Sequence, residues 1–385
     1  MELYVHIPYC RQKCRYCDFA SYAGREATMA RYVEAVLSEA ASLPCDTWLT
    51  TAFLGGGTPS LLPPALLERL LQGLQAQYSF TPGMEFTSEA NPGTLTEDWL
   101  RAATGSGVNR LSMGMQAFQP ELLRTLGRIH THDQVVDSVR MARRAGIGNL
   151  SLDLMFGLPG QTPAMWRETL YAALALEPQH LSCYGLIPEE GTPLKIDLDA
   201  GRLSLPDEDD ERRMYDDTLD ILARHGFVQY EISNFALPGY ACQHNIGYWR
   251  QAPYIGLGAS AASMQPRERD ELRTSNPPDI MAYIDMTERA DWAQREQTTV
   301  SAKDARFETL MLGLRMTEGV CESAFEQMHG VALQMLCGKV LHGFKARGLL
   351  DHQDGWWRLT RRGMDVQNAI LVELLEEMEK DCPDD

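Results

Sequence analysis

CRQKCRYC, residues 10–17, contains three cysteines within eight positions: Cys10, Cys14 and Cys17. Such close spacing lets three thiolates reach one metal centre. A structural zinc site usually has four ligands in two separated pairs, and no second pair lies near this stretch. A [4Fe–4S] cluster bound by three cysteines instead of four keeps one iron open to a small ligand. We therefore expect an iron–sulfur cluster. The alternatives are a zinc site with His6 as its fourth ligand and three buried thiols.

The composition is that of an ordinary globular chain of 385 residues, with 44% hydrophobic and 23% charged residues. Its 35 basic and 53 acidic residues give a net charge of −18, which disfavours nucleic acid or anionic lipid as a partner. We find neither a run of about 18 apolar residues nor a signal peptide, and expect no integral membrane segment and a cytoplasmic location. Nine cysteines in such a chain indicate metal binding or catalysis more than a disulfide framework.

Short β-rich segments alternate with helical patterns through the first half of the chain. The predicted strands are 3–7, 51–54, 85–88, 110–114, 149–154 and 180–184. The predicted helices are 29–43, 65–77, 97–105, 133–145 and 163–176. Six strands with helical crossovers indicate a parallel sheet, and polar residues follow the carboxyl end of nearly every strand. In an α/β barrel the active site lies on the rim formed by all the strand ends, whereas an open doubly wound sheet binds its ligand at one switch point. The distribution of polar residues therefore favours a partial barrel.

The second half of the chain predicts two further regions. Residues after 187 become rich in Pro, Gly and Asp, and we interpret 265–278 as a loop. From residue 301 the pattern is helical again, with a hairpin over 349–360, which together indicate a winged-helix-like unit. We therefore predict an α/β protein: a partial (β/α)6 barrel of the TIM type with a smaller C-terminal winged-helix-like α/β domain. The expected domains are the barrel (1–190), a barrel extension and connecting region (191–300), and the C-terminal domain (301–385).

A second motif, GGGTP at residues 55–59, follows the second predicted strand. Three glycines let the backbone approach a ligand closely and expose its N–H groups. The lysine of a phosphate-binding P-loop is missing. A tight loop that cradles an amino or carboxylate group fits these residues better, and a plain turn is the alternative.

The cysteine motif and the glycine motif, in this order, resemble the radical SAM superfamily over residues 1 to about 190. This resemblance implies a [4Fe–4S] cluster whose open iron binds the amino and carboxylate groups of S-adenosylmethionine. Reduction of that cluster would cleave the sulfonium and give methionine and a 5′-deoxyadenosyl radical. The cluster and the cofactor supply this chemistry, while the protein binds and shields them.

Further motifs resemble the oxygen-independent coproporphyrinogen III oxidase family, which includes true oxidases and HemW-type heme chaperones. They are GGGTP at 55–59, Glu89, LSMGMQ at 111–116, Arg128, Asp153 and GLPGQ at 157–161. The resemblance implies that the methionine part of S-adenosylmethionine contacts Gly56, Gly57 and Thr58. It also implies that the polar groups of this cofactor are bound by Glu89, Gln116, Arg128 and Asp153, with Tyr4 and Tyr16 near the cluster. From the residues alone, the two carboxylates could accept hydrogen bonds from ribose hydroxyls, and a rim salt bridge or strand cap is the alternative for each.

Three features separate the two branches of that family. Phe19 stands where the oxidases carry a further cysteine, and Met1 lies only nine residues before Cys10, without the extension that the oxidases have. HNIGYW, residues 244–249, matches an HNxxYW motif typical of the chaperones. The resemblance therefore implies a chaperone that binds heme and transfers it to heme-accepting proteins, with an electron donor such as a flavodoxin or ferredoxin.

The alternative function is that of the oxidase, which converts coproporphyrinogen III to protoporphyrinogen IX by radical decarboxylation of two propionates. A radical enzyme for an unrelated substrate is a third hypothesis. Phe19 and the short N-terminus argue against the oxidase. These features leave enzymatic activity an open question for experiment.

The HNxxYW motif can also be interpreted from its residues. A neutral imidazole at His244 could ligate heme iron, with Cys242 as another candidate ligand. Tyr248 and Trp249 offer flat apolar faces to a porphyrin. The alternative is a structural loop that docks onto the barrel, with its histidine hydrogen-bonded and its tryptophan buried.

Overall fold

Six parallel strands form the centre of the molecule, which we describe from a computed structural model over residues 1–44, 47–267 and 270–380. The strands are β1 (Glu2–Ile7), β2 (Trp48–Gly56), β3 (Ser79–Ala90), β4 (Arg110–Gln116), β5 (Asn149–Phe156) and β6 (His180–Gly185). The helices between them are α1 (Met29–Ala41), α2 (Pro64–Gln77), α3 (Glu97–Gly105), α4 (Pro120–Thr125), α5 (His132–Arg144) and α6 (Pro163–Leu174). Each strand and helix predicted for this half of the chain is present, and α4 is an additional short helix after β4.

Strands β1 to β6 pair in sequence order, each parallel to the next. Successive side chains of a strand point to opposite faces of the sheet. On β1, Leu3, Val5 and Ile7 are buried in the apolar core, whereas Tyr4 and His6 alternate with them and line a cleft on the other face. This arrangement confirms the predicted partial (β/α)6 barrel, with the polar side chains of the strands on its inner face.

The sheet continues beyond both edges of the barrel. The elements that follow β6 are α7 (Pro193–Asp199), α8 (Glu208–Arg224), β7 (Val228–Glu231), β8 (Asn234–Ala236), α9 (Gln243–Trp249), β9 (Tyr254–Leu257), β10 (Ala262–Pro266), β11 (Glu271–Ser275), α10 (Ile280–Glu288) and β12 (Glu296–Val300). At one edge β8 pairs with β6 and β7 with β8. At the other edge β9 lies parallel to β1, and β10, β11 and β12 follow in antiparallel order.

The predicted loop over 265–278 was wrong. Strands β10 and β11 pair across this region, with Met264 opposite Arg273 and Gln265 opposite Leu272. Charged and polar residues are common on strands near a sheet edge, and they hide the alternation that marks a half-buried strand. The local sequence therefore gave no strand signal, although the chain adds to an existing sheet.

The last part of the chain forms a second, smaller core. Its elements are α11 (Ala302–Arg315), β13 (Val320–Cys321), α12 (Glu322–His329), α13 (Leu333–Ala346), β14 (Leu350–Gln353), β15 (Trp356–Leu359), α14 (Arg361–Met364) and α15 (Gln367–Lys380). Strands β13, β15 and β14 form an antiparallel sheet that packs on the helices around Phe325, Leu341 and Trp357. This order of helices and hairpin confirms the winged-helix-like unit.

The division into three domains, at about residues 190 and 300, stays a prediction. The core of the barrel also contains Ile255 and Ile284, which lie beyond residue 190. Within the described ranges, no helix is long and apolar enough to cross a membrane.

A buried carboxylate on α1 fastens the added strands to the barrel. Glu39 is 1% exposed and accepts hydrogen bonds from Gly258 N at 2.9 Å, Asn276 Nδ2 at 2.8 Å and Arg295 Nη2 at 2.6 Å. The hydroxyl of Tyr283 on α10 donates to the same carboxylate. One helix of the barrel therefore contacts the end of β9, the residue after β11 and the segment before β12 through a single side chain.

We expect Glu39→Ala to destabilise the protein by about 3–5 kcal/mol, because the Arg295 guanidinium, 14% exposed, and the buried donors of Asn276 and Tyr283 lose their acceptor. Urea unfolding measures this change. Glu34→Ala is the matched control on the same helix, since Glu34 and Arg69 form an exposed ion pair whose loss changes stability little. Equal midpoints for the two variants would contradict the role of Glu39.

Candidate cofactor site and adjoining cleft

The three motif cysteines lie on the loop that follows β1, at the carboxyl end of the barrel strands. Cys10 N donates to Tyr22 O at 3.0 Å, and Cys17 N donates to Cys14 O at 3.3 Å. Arg15 ties the loop to its surroundings, because its N–H donates to Leu126 O at 2.9 Å and its guanidinium pairs with Asp197 of α7. The loop is therefore held from both sides of the barrel rim.

Two side chains donate hydrogen bonds to the cysteine sulfurs. Thr58 Oγ1 donates to Cys10 Sγ at 3.7 Å, and Arg128 Nη1 donates to Cys14 Sγ at 3.4 Å. Donors and positive charge stabilise thiolates and the anionic clusters that they bind. Among the described residues no three acidic, histidine or cysteine side chains are already arranged as ligands of one ion. Each cysteine of a [4Fe–4S] site binds a different iron, so three thiols spread around one loop, with donors beside two of them, fit such a cluster.

The glycine motif lets the end of β2 pack closely against the end of β1. Gly56 has a φ of 103°, and a Cβ there would lie 2.4 Å from the His6 ring. A Cβ on Gly57 would lie 2.7 Å from Tyr9 O, while Gly57 N donates to Ile7 O at 2.8 Å. Only glycine permits this close approach and this backbone conformation. The motif thus positions Thr58 directly beside Cys10.

Asn91, which the sequence analysis missed, connects the ends of three strands. Its Nδ2 donates to Thr58 Oγ1 at 2.7 Å, and its Oδ1 accepts from Arg128 Nη2 at 2.7 Å. Arg128 Nη2 also donates to Gly114 O at 2.8 Å. A small pocket beside Cys14 is lined by Thr58, Asn91 and Arg128. The signal that could have found this residue is its place two positions after Glu89, at the carboxyl end of a predicted strand.

Glu89 and Asp153 are carboxylates on the inner face of the barrel. Gly56 N donates to Glu89 Oε2 at 3.0 Å, and Ser112 Oγ donates to the two oxygens of Asp153 at 3.1 and 3.2 Å. Burial, and then the charge of Asp153, raise the pKa of Glu89 to about 8. Burial also raises the pKa of Asp153, although hydrogen bonds from Ser182 and Ser112 lower it. At neutral pH the Glu89 carboxyl is therefore mostly protonated.

Gln116 stands at an irregular position of β4. Its φ is 63°, and the pairing of β4 with β5 shifts between Gly114 and Gln116. A Cβ on Gly114 would lie 2.6 Å from Gln116 Nε2 and 2.9 Å from Arg128 Nη2. Such bulges are common next to active sites, where they redirect a side chain. The bulge and the glycine together keep the Gln116 amide beside the Arg128 guanidinium.

Tyr4 and Tyr16 occupy different surroundings. The Tyr4 hydroxyl is 3.0 Å from His6 Nδ1, and its ring stacks on Phe53. His6 Nε2 lies 2.8 Å from Ala20 O, which can only accept, so the imidazole carries its proton on Nε2 and Nδ1 accepts from Tyr4. Tyr16 packs against the apolar cluster around Leu122, and burial raises its pKa. The structure therefore gathers the predicted cofactor residues of β1 to β5 at one end of the barrel.

A wide cleft of about 800 Å³ opens beside the cluster loop. It is lined by Tyr4, His6 and Glu89 of the barrel, by Tyr248 and Trp249 of α9, by strands β9 to β11, and by Glu308, Met311 and Leu312 of α11. Phe19 lies at its mouth with 63% of its surface exposed. The sequence analysis missed the contributions of β11 and α11, since nothing local marks them as neighbours of the barrel.

His244 of the HNxxYW motif is buried within the barrel and does not line the cleft. Its Nδ1 is 2.7 Å from Thr51 Oγ1 and its Nε2 is 3.1 Å from the Tyr248 hydroxyl. Its ring stacks on Phe53 at 5.1 Å, and burial lowers its pKa to about 3. Both nitrogens are thus engaged, as expected for a docking loop, and ligation of heme iron by His244 stays a prediction that requires these bonds to break.

The other residues of this motif differ in exposure to the cleft. Cys242 is fully buried, its Sγ donates to Glu85 Oε1 at 3.4 Å, and burial raises its pKa to about 12. Tyr248 and Trp249 face the cleft, and the guanidinium of Arg315 lies 4.6 Å from the indole ring centre. The indole Nε1 of Trp249 is buried without a hydrogen-bond partner in the described residues. The motif therefore presents two aromatic side chains to any ligand of the cleft.

Comparison with known proteins identifies the family. The family model for the radical SAM superfamily matches residues 4–172, and that for the HemN C-terminal domain matches residues 300–366. The heme chaperone HemW of Bacillus subtilis is 35% identical over 97% of this chain and 99% of its own. HemW of Escherichia coli is 35% identical over 98% of both chains. This chain belongs to the HemW family.

Two further relatives of this HemW-family chain widen the comparison. The zebrafish radical S-adenosyl methionine domain-containing protein 1, mitochondrial, is 33% identical over 98% of this chain and 87% of that one. The solved structure of coproporphyrinogen III oxidase from Escherichia coli superposes with a TM-score of 0.83, covering 97% of this chain and 89% of that chain. At 23% identity this likeness concerns the fold alone. Membership of the radical SAM superfamily implies a [4Fe–4S] cluster and S-adenosylmethionine, which the donors around the cysteines fit.

We expect Glu89→Gln to change how stability depends on pH. The raised pKa means that the folded state keeps this proton up to about pH 8, whereas the unfolded chain loses it near 4.5. The associated stability is present at low pH and is lost as pH rises from 4.5 to about 8. Glu89→Gln has no proton to lose in this range. As pH rises, the unfolding free energy of the variant therefore increases relative to that of the wild type by up to about 1.4 kcal/mol per pH unit.

Urea unfolding at several pH values measures this slope. Glu97→Gln, on the exposed side of α3, controls for the loss of one carboxylate from the chain. Parallel pH profiles for the wild type and Glu89→Gln would contradict a protonated Glu89.

Proposed function

We propose that this protein is a heme chaperone that binds heme and transfers it to heme-accepting proteins. The observation that carries the proposal is the wide cleft beside the cluster loop, lined by aromatic side chains and thioethers. Tyr248, Trp249 and Tyr254 offer flat rings, and Met264 and Met311 offer polarisable sulfur. The relatives whose printed name is heme chaperone HemW match nearly the full chain, which supports the same function.

In this proposal Cys10, Cys14 and Cys17 hold the [4Fe–4S] cluster. Thr58 and Arg128 donate to two of their sulfurs, and such donors tune both the charge and the potential of a cluster. The cluster, when bound and reduced, supplies the electron that cleaves S-adenosylmethionine. The loop bonds to Tyr22 and Leu126 support this assignment, because they hold the cysteine loop at the carboxyl end of the barrel strands.

The S-adenosylmethionine site is proposed at the neighbouring strand ends. Gly56, Gly57 and Thr58 offer backbone and hydroxyl groups to the methionine part, and Glu89, Gln116, Arg128 and Asp153 offer polar groups to the rest of the molecule. We add Asn91 to this set, because it bonds both Thr58 and Arg128. A protonated Glu89 carboxyl can donate as well as accept, which suits hydroxyl recognition.

The partners are proposed from exposure and charge. Arg11 and Lys13 are exposed on the cluster loop of an otherwise acidic chain, which suits docking of an acidic electron donor such as a flavodoxin or ferredoxin. The cysteines of the described residues are free thiols, in keeping with a reducing compartment such as the cytoplasm. The heme acceptor is a second protein, to which the open side of the cleft gives access.

Replacing a motif cysteine is expected to abolish the cluster. In Cys10→Ala, Cys14→Ala or Cys17→Ala the remaining two thiolates cannot hold three irons, so the broad visible absorption after anaerobic reconstitution should disappear. Cys321→Ala is the matched control, since this partly exposed thiol lies in the smaller core. A motif variant that keeps the absorption and iron content of the wild type would overturn the ligand assignment.

Hemin titration tests the proposed function itself. The reconstituted wild type should bind hemin with a new Soret band, and Trp249→Ala should weaken binding about tenfold because an aromatic face is lost. Trp48→Ala, which removes a 62%-exposed indole outside the cleft, should bind as the wild type does.

The same reconstituted protein, given S-adenosylmethionine, a strong reductant and coproporphyrinogen III, should release no carbon dioxide from the porphyrinogen. Mass spectrometry measures the product. Decarboxylation at catalytic turnover would replace the chaperone proposal by the oxidase alternative despite Phe19.

A further inference from the structure

Arg273 of β11 is the one arginine or lysine among the described residues that line the cleft. Asp18 and Glu308 line the same space, and Glu89, which is mostly protonated at neutral pH, adds a third acidic group. One third of the Arg273 side chain is exposed. An anionic ligand that entered this cleft would therefore meet a single fixed positive charge.

Two glutamates hold the Arg273 guanidinium. Its Nη1 donates to Glu308 Oε1 at 3.1 Å, and its Nη2 donates to Glu308 Oε2, which makes a two-pronged pair. Nη2 also lies 3.1 Å from Glu271 Oε2. The Nε donor has no hydrogen-bond partner in the described part of the chain. The guanidinium is thus neutralised by protein carboxylates but does not use all of its donors.

The pair between Arg273 and Glu308 joins two parts of the fold. Arg273 belongs to the added strands of the barrel sheet, whereas Glu308 lies on α11, which supplies Leu310 and Leu314 to the smaller core. Met311, one helical turn beyond Glu308, also lines the cleft. A change in this ion pair would therefore alter a contact of the part of α11 that lines the cleft.

We propose that Arg273 binds a carboxylate of the ligand in this cleft, and that Glu308 occupies the guanidinium until the ligand arrives. This inference rests on the proposed function, in which the ligand is heme, a porphyrin with two propionates. A propionate is chemically the same group as a glutamate side chain, so the exchange replaces each charge-assisted hydrogen bond with an equal one.

Charge explains why the exchange depends on the carboxylate. With Arg273 removed, a dicarboxylate would enter a cleft whose remaining charged lining, Asp18 and Glu308, is acidic, and like charges repel each other. A porphyrin with esterified propionates carries no such charge and gains nothing from the guanidinium. Arg273 therefore favours the free acid over the ester, and Glu308 reduces that preference by competing.

The test compares hemin with hemin dimethyl ester as ligands of the reconstituted full-length protein. The wild type should bind hemin more tightly than the ester. Arg273→Gln should weaken hemin binding about tenfold or more and leave ester binding unchanged, because charge-assisted bonds are lost. Glu308→Gln should tighten hemin binding several-fold, again without effect on the ester, because the competing charge is gone.

Arg250→Gln and Glu318→Gln are the matched controls. These residues form another ion pair, at 2.5 Å, between the end of α9 and the segment after α11, and neither lines the cleft. Both controls should keep the wild-type ratio of the two affinities. Equal weakening of hemin and ester in a folded Arg273→Gln would overturn the proposal, since the arginine would then serve structure alone.

Glu308→Gln decides the matter if Arg273→Gln does not fold. An unchanged ratio of hemin to ester affinity in that variant overturns the inference. A wild type that binds neither porphyrin refutes the proposed function and this inference with it. A wild type that binds both porphyrins, with no response to either variant, refutes the inference alone.

Discussion

The guanidinium of Arg110, at the start of β4, is buried in the barrel, and its charge acts on the carboxyl groups of the neighbouring strands. Glu85, Glu89 and Asp153 lie on the strands on either side of β4, and burial acts to protonate Glu89 and Asp153. The charge of Arg110 lowers the pKa of both these carboxyls and is itself stabilised by Glu85 and Asp153. A buried cation near these acidic groups offsets part of the cost of burying them in the barrel.

The same interior explains what the HNxxYW motif does in the fold. Glu85 accepts hydrogen bonds from the first backbone N–H groups of α9, including that of His244 at 3.1 Å. His244 in turn bridges Thr51 of β2 and the hydroxyl of Tyr248. A short helix is thereby fastened inside the barrel, and its far end projects Tyr248 and Trp249 into the cleft. The histidine holds the Tyr248 hydroxyl, and both aromatic residues line the cleft.

Prediction from the sequence succeeded where the signal was local. The strands and helices of the barrel alternate with clear periodicity, and the cysteine and glycine motifs lie on single loops whose spacing is fixed by the chain. It failed at β10 and β11, whose polar residues hide the strand pattern, and it passed over Asn91 and Arg273. Those two residues acquire their roles from partners on other strands or on another core, and no spacing along the chain reports such partners.

The sequence by itself determined that a barrel of parallel strands carries a three-cysteine loop and a glycine turn at one end, because short-range spacing and strand periodicity decide both. Only the tertiary structure decided that both nitrogens of His244 are engaged, and that β11 and α11 share a cleft with β1. Residues separated by tens to hundreds of positions meet there. Their meeting depends on how the sheet is extended and how the smaller core packs, which are properties of the whole fold and not of any one segment.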